Sequence, residues 1–151
     1  MTDYLPLPGT PVNELDTPCI VVDLDIAEAN IAKLQAAANE MGVDVRPHFK
    51  TTKSPYWARK QLAAGAIGIC CAKVGEAEVM AAGGIDDILI TSEVATRDKM
   101  ARICALSRRA DVKVAIDDPR NVRALSDAAR RHGVTIGVVV EVGTDRAGVR
   151  S

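Results

Sequence analysis

The segment Val45-Arg46-Pro47-His48-Phe49-Lys50-Thr51 places a potential cation at every second position. Along an extended chain side chains alternate, so Arg46, His48 and Lys50 share one face while Val45, Pro47 and Phe49 share the other. Three cations on one face of an otherwise apolar strand are unfavourable in a plain core. That face is therefore either a solvated edge or the wall of a site. Like charge and removal from water both favour the neutral amine of a lysine, which makes Lys50 a candidate nucleophile or Schiff-base lysine. The competing assignment is a structural lysine held in a salt bridge.

A second constellation is Glu141-Val142-Gly143-Thr144-Asp145-Arg146-Ala147-Gly148-Val149. Glu141 follows an apolar run and marks where a strand leaves the core. The flanking glycines let the loop turn tightly or let its backbone approach a ligand. Arg146 can present a guanidinium to a phosphate, carboxylate or phenolate, or simply be an exposed loop arginine. Thr91-Ser92-Glu93 and Asp117-Asp118 also follow apolar runs and are lesser candidates, Asp118 being more simply a helix cap. Lys53 lies near Lys50 but outside the strand, where it could raise the local positive potential. His132, beside Arg130 and Arg131 at a helix end, suits the helix dipole and reads as structural. Tyr56 and Trp57 open an amphipathic helix and read as packing.

The elements that must position these residues follow from periodicity. From Asp16 onward, short Val/Ile-rich runs alternate with Ala-rich amphipathic stretches and with glycine or charged turns. Strands are expected over 19–24, 43–49, 67–72, 88–91, 112–116 and 136–142, and helices over 26–41, 55–64, 75–82, about 96–109 and 119–132. Gly42, Gly65 and Gly83-Gly84 supply stops, and Asp118 followed by Pro119 supplies a start. Residues 1–15, with Pro6, Pro8, Gly9 and Pro11, form an extended arm. Doubly buried strands alternating with helices imply a parallel sheet with right-handed crossovers. Either a flavodoxin-like domain or part of a TIM barrel satisfies that pattern. The chain stops on a strand and a polar loop with no covering helix, as an interrupted array would. The G-x-x-x-x-G-K-[ST] and G-x-G-x-x-G phosphate fingerprints of a small nucleotide-binding domain are missing.

Composition narrows the function classes. The 151 residues carry 19 Lys and Arg against 20 Asp and Glu, a net charge of −1, so there is no electrostatic footprint for nucleic acid or an anionic membrane. Hydrophobic residues at 48% and charged residues at 26% fit a globular core rather than a disordered or fibrous chain. No apolar run approaches the roughly 20 residues that cross a bilayer. Residues 1–16 contain no Lys or Arg and no apolar h-region, which points to the cytoplasm. Aromatics at 3% argue against a base-stacking platform. Cys19, Cys70, Cys71 and Cys104 lack the spacing of a zinc or redox pair and are expected as buried reduced thiols.

Four motifs occur in order: D-T-P-C-I-V-V-D-L-D from Asp16, R-P-H-F-K-T-T-K from Arg46, G-I-C-C-A-K-V-G-E-A-E from Gly68 and D-R-A-G-V from Asp145. Together they resemble the D-threonine aldolase and D-serine dehydratase-like enzymes, fold-type III pyridoxal 5'-phosphate (PLP) proteins related to the N-terminal domain of alanine racemase. The resemblance runs from about Asp16 to Val149. It implies residues 16–151 as the N-terminal portion, about five strands, of a PLP-binding (β/α)8 TIM barrel truncated before closure. The strand over 19–24 would belong to a neighbouring β-domain. Lys50 would be the lysine that binds PLP covalently, Arg146 would contact the phenolic oxygen of the cofactor, and His48 would line the site.

The activity so implied is that of a carbon-carbon lyase cleaving D-3-hydroxy amino acids to glycine and an aldehyde. The alternatives are a D-serine dehydratase, a 3-hydroxyaspartate aldolase relative, or a PLP-binding protein without turnover. Thr52, Ala72 and Ser92 stand where the family commonly has histidine, glutamine and asparagine, which leaves substrate identity open. Family members run to well over twice this length. The divalent metal ligands of the aldolases would lie in the remainder, and the full-length protein would form a homodimer with a site near the interface. Two unpaired sheet edges predict that the isolated chain is aggregation-prone or catalytically dead.

Overall fold

The computed structural model describes residues 5–142. Within them, after a single 3-10 turn at Val12–Glu14, the elements run α1 (Leu24–Met41), α2 (Pro55–Ala64), β1 (Ile69–Cys71), α3 (Val74–Ala82), β2 (Asp87–Ile90), α4 (Arg97–Leu106), β3 (Asp111–Ile116), α5 (Pro119–His132) and β4 (Gly137–Val140). The four strands form one parallel sheet in the order β1-β2-β3-β4. Its register sets Cys70 opposite Leu89, Leu89 opposite Lys113 and Lys113 opposite Gly137. Sequential parallel strands joined by helices are the arrangement of the N-terminal part of a TIM barrel.

Local chemistry explains most boundaries. The Asp23 carboxylate accepts the Ile26 amide at 3.0 Å and starts α1, which ends on Gly42 in the left-handed region. α5 begins at Pro119 behind Asp118, whose carboxylate accepts the Arg120 amide at 2.7 Å, and closes on Gly133. Its last turn carries Arg130, Arg131 and His132, as the dipole favours.

Two expected strands differ. Residues 19–23 have no ladder partner among the described residues. Asp23 turns the chain into α1 two residues earlier than the apolar spacing suggests, and Ile20 is 93% exposed. Cys19 is likewise exposed, whereas Cys70, Cys71 and Cys104 are buried as expected. The strand over 43–49 survives as an extended segment running parallel to β1, with one bridge between His48 and Cys70. Ile67 donates to the Val45 carbonyl at 3.0 Å, Cys70 to the Pro47 carbonyl at 2.8 Å, and Phe49 to the Cys70 carbonyl at 2.9 Å. Pro47 has no N–H to add a further rung, so the ladder is broken there.

Strand alternation divides the sheet into two faces. Ile88, Ile90, Val112 and Val114 enter the core beneath the helices, against Met80, Ile103 and Leu125. Phe49, Ile69 and Cys71 join them. The opposite face carries Arg46, His48, Asp87, Leu89, Thr91 and Lys113. At the far side of the sheet, Val138, Val139 and Val140 of β4 are exposed, Val140 at 68%.

Candidate active site

In a parallel α/β array, ligands gather where the strands end. The residues at those ends are Lys50, Ala72, Thr91, Asp117 and Glu141. Lys50 follows the extended segment and opens a turn in which the Lys53 amide donates to the Phe49 carbonyl at 2.9 Å and Lys53 takes a φ of +49°. The Lys50 side chain is exposed and makes no hydrogen bond or ion pair among the described residues, while its backbone amide donates to His48 Nδ1 at 3.1 Å. His48 Nε2 stands 3.1 Å from Thr91 Oγ1, and the Thr91 hydroxyl donates to the Cys71 carbonyl at 3.3 Å.

Alternation thus holds for Arg46 and His48, but the three cations do not act together. Arg46 is held at the opposite end of the strands, where Nη1 donates to Asp87 Oδ1 at 2.7 Å and Nη2 to Oδ2 at 3.2 Å. Lys113 donates to the same carboxylate at 2.9 Å and to Asp111 at 2.6 Å. Burial pushes the Asp87 carboxyl up, but the hydrogen bonds from Arg46 and Lys113 hold it below the usual carboxylate range. Its folded value being depressed, the cluster stabilises the fold above the ordinary carboxylate pKa near about 3.9 and loses that contribution as pH falls through the depressed value. Asp87→Asn is therefore expected to cost about 1–2 kcal/mol in urea melts at neutral pH. The difference from the parent chain should shrink at about pH 2; an equal difference at both pH values would show that charge is not what Asp87 contributes.

The other strand-end candidates meet in part. The Glu93 carboxyl beside it, as hydrogen-bond partner and then as like charge, holds Glu141 above its ordinary range, with a smaller push from Asp117. Asp118 behaves as the helix cap it was expected to be. Burial pushes the Cys71 thiol up to about 12, so it offers no thiolate at neutral pH. A cleft of about 610 Å³ beside the strand ends is lined by Lys53, Ala72, Lys73, Ser92, Glu93 and Lys99 among others, which places two of the departing positions, Ala72 and Ser92, together. Lys50 and His48 do not line it. Arg146 and the 145–149 motif lie outside the described residues. Sequence reading missed Asp87 as the partner of Arg46 and undervalued Thr91. Asp87 and Thr91 lie at even spacing on β2 and its extension, and only strand pairing brings them to Arg46 and His48.

The family described as alanine racemase, N-terminal domain, matches residues 22–151. A 3-hydroxy-D-aspartate aldolase of Paracoccus denitrificans is 42% identical over 151 residues, covering 97% of this chain and 39% of its own length. A D-threo-3-hydroxyaspartate dehydratase of Delftia sp. is 39% identical, covering 89% of this chain and 36% of its own. The crystal structure of D-threonine aldolase from Filomicrobium marinum superposes with a TM-score of 0.83 at 44% identity, over 89% of this chain and 37% of that one. The chain thus spans less than two fifths of the length of these relatives. With the parallel sheet and the family match in agreement, the chain belongs to the alanine racemase N-terminal domain family.

Proposed function

We propose that this chain is the lysine-bearing N-terminal part of a PLP-dependent lyase that cleaves D-3-hydroxy amino acids to glycine and an aldehyde. The observation that carries the reading is Lys50: an exposed amine with no partner among the described residues, at a strand end, on a turn whose backbone is held by His48. An amine so placed fits covalent attachment of an aldehyde cofactor, since no carboxylate must be broken away before it reacts. When bound, PLP supplies the electron sink that cleavage between Cα and Cβ requires. Lys50 would anchor it, His48 would fix the backbone from which Lys50 projects, and Arg146 would meet the phenolic oxygen. The similarity to a dehydratase supports, as the second reading, loss of a β-hydroxyl after removal of the α-proton. A 3-hydroxyaspartate aldolase differs from the first reading only in substrate.

Any divalent metal that assists an aldolase would draw its ligands from the remainder of the full-length protein, which we place in the cytoplasm as a homodimer. The buried thiols Cys70, Cys71 and Cys104 support a reducing compartment. No helix is long and apolar enough to cross a membrane among the described residues.

The test is to incubate the chain with PLP, reduce with borohydride and locate the modified peptide by mass spectrometry. Label confined to Lys50 and absent from Lys50→Ala is the expected result. Label scattered over Lys53, Lys73 and Lys99, or none in a chain shown to be folded, overturns the reading. Glycine and an aldehyde, as against ammonia and a 2-oxo acid, then separate the lyase readings in the full-length protein.

A further inference from the structure

The hydrogen bonds around His48 have only one consistent direction. A backbone N–H can only donate, so the 3.1 Å contact from the Lys50 amide makes His48 Nδ1 an acceptor. The ring proton of the neutral imidazole must then sit on Nε2, which faces Thr91 Oγ1 at 3.1 Å and donates to it. The Thr91 hydroxyl, having accepted that bond, donates its own proton to the Cys71 carbonyl at 3.3 Å. The result is an ordered chain of donors from the Lys50 amide through imidazole and hydroxyl to the end of β1. It ties the turn that carries Lys50 to two strands of the sheet.

We propose that Thr91 is a positioning residue for Lys50, acting through His48: its hydroxyl reinforces the Nε2-protonated tautomer that the Lys50 amide also requires, and so steadies the imidazole whose Nδ1 holds the Lys50 backbone. Its bearing on the cofactor rests on the reading of Lys50 given above, whereas the effect on the imidazole and the amide does not. A valine at position 91 fills the same space but neither accepts nor donates, so the imidazole keeps only the Lys50 amide of the two bonds that hold its tautomer and orientation. A serine keeps the hydroxyl.

His48 and His132 are the only histidines in the chain, so nitrogen NMR of the 151-residue chain at about pH 8, above the ordinary imidazole range, reads His48 with His132 as internal control. The expected result is a proton on His48 Nε2 together with a Lys50 amide that exchanges slowly with solvent. Thr91→Val should turn the single tautomer into a mixture and speed Lys50 amide exchange about five- to tenfold, as loss of one of the two supporting hydrogen bonds predicts, with His132 unchanged. Thr91→Ser should restore both. A wild-type proton on Nδ1 overturns the proposal without any variant, and so does a Thr91→Val chain with His48 and the Lys50 amide unaltered. Borohydride labelling run in parallel keeps the two readings apart. An intact hydrogen-bond pattern that responds to Thr91, in a chain that takes no label at Lys50, supports the Thr91 assignment and overturns the cofactor reading alone.

Discussion

Phe49→Ala is expected to destabilise the fold by about 3–5 kcal/mol, the range for removing a large aromatic from a packed core. Phe49 is 2% exposed and sits in the layer beneath the helices. Its backbone is tied down at both ends. The amide donates to the Cys70 carbonyl at 2.9 Å, and the carbonyl accepts from Lys53 at 2.9 Å. One residue therefore anchors both the segment beside β1 and the turn that begins at Lys50. The urea midpoint should fall with an unchanged m value, because the surface exposed on unfolding stays the same. Under conditions where the variant remains folded, PLP labelling of Lys50 should fall as well. Should Phe49→Ala fail to fold, Phe49→Leu, expected to cost about 1.5 kcal/mol or less, carries the same test at lower stress. A loss below about 1 kcal/mol for the alanine variant would mean that position 49 is not packed as found.

The same segment shows what the sequence could and could not disclose. Phe49 inward and His48 outward follow from period two alone, and α5 was legible to the residue because Asp118, Pro119 and Gly133 are local devices. The elements after residue 64 were likewise readable, since apolar runs bounded by glycine need no distant information. Residues 19–24 misled because a Val/Ile-rich run announces a strand only if a partner is present, and none lies beside it among the described residues. The partner of Arg46 was hidden for a related reason. Alternation places Arg46 on the face of His48 and Lys50, but its charge is satisfied by Asp87, 41 residues away, and that pairing depends on register. The link from His48 to Thr91, 43 residues on, was hidden in the same way. Motif resemblance supplied the family and the expectation for Lys50, whereas the hydrogen bonds that hold its backbone became visible only with the sheet assembled.

Gly68→Ala should reach into that register from the end of the strands away from Lys50. Gly68 has a φ of +150°, and a Cβ there would press into the Arg46 guanidinium, 2.8 Å from Cζ, and lie 2.9 Å from Asp87 Cγ. The side chain of Arg46 is flexible in itself, but here it is held by two hydrogen bonds to one carboxylate. Alanine therefore imposes backbone strain of about 1–3 kcal/mol and also displaces an ion pair in which Arg46 is 17% exposed. A combined loss of about 2–4 kcal/mol is expected. The two contributions separate in a double-mutant cycle with Asp87→Asn. If the methyl group acts by breaking the pair, the double variant should be less destabilised than the sum of the single ones by about 1 kcal/mol. Strict additivity would mean that Arg46 yields without loosening its hold on Asp87, leaving strain alone to explain the glycine. Because Arg46 and Lys50 lie at opposite ends of one short segment, the non-additive outcome would also identify Gly68 as the position that lets this segment lie flat against β1, and hence as part of what presents Lys50 at the strand ends.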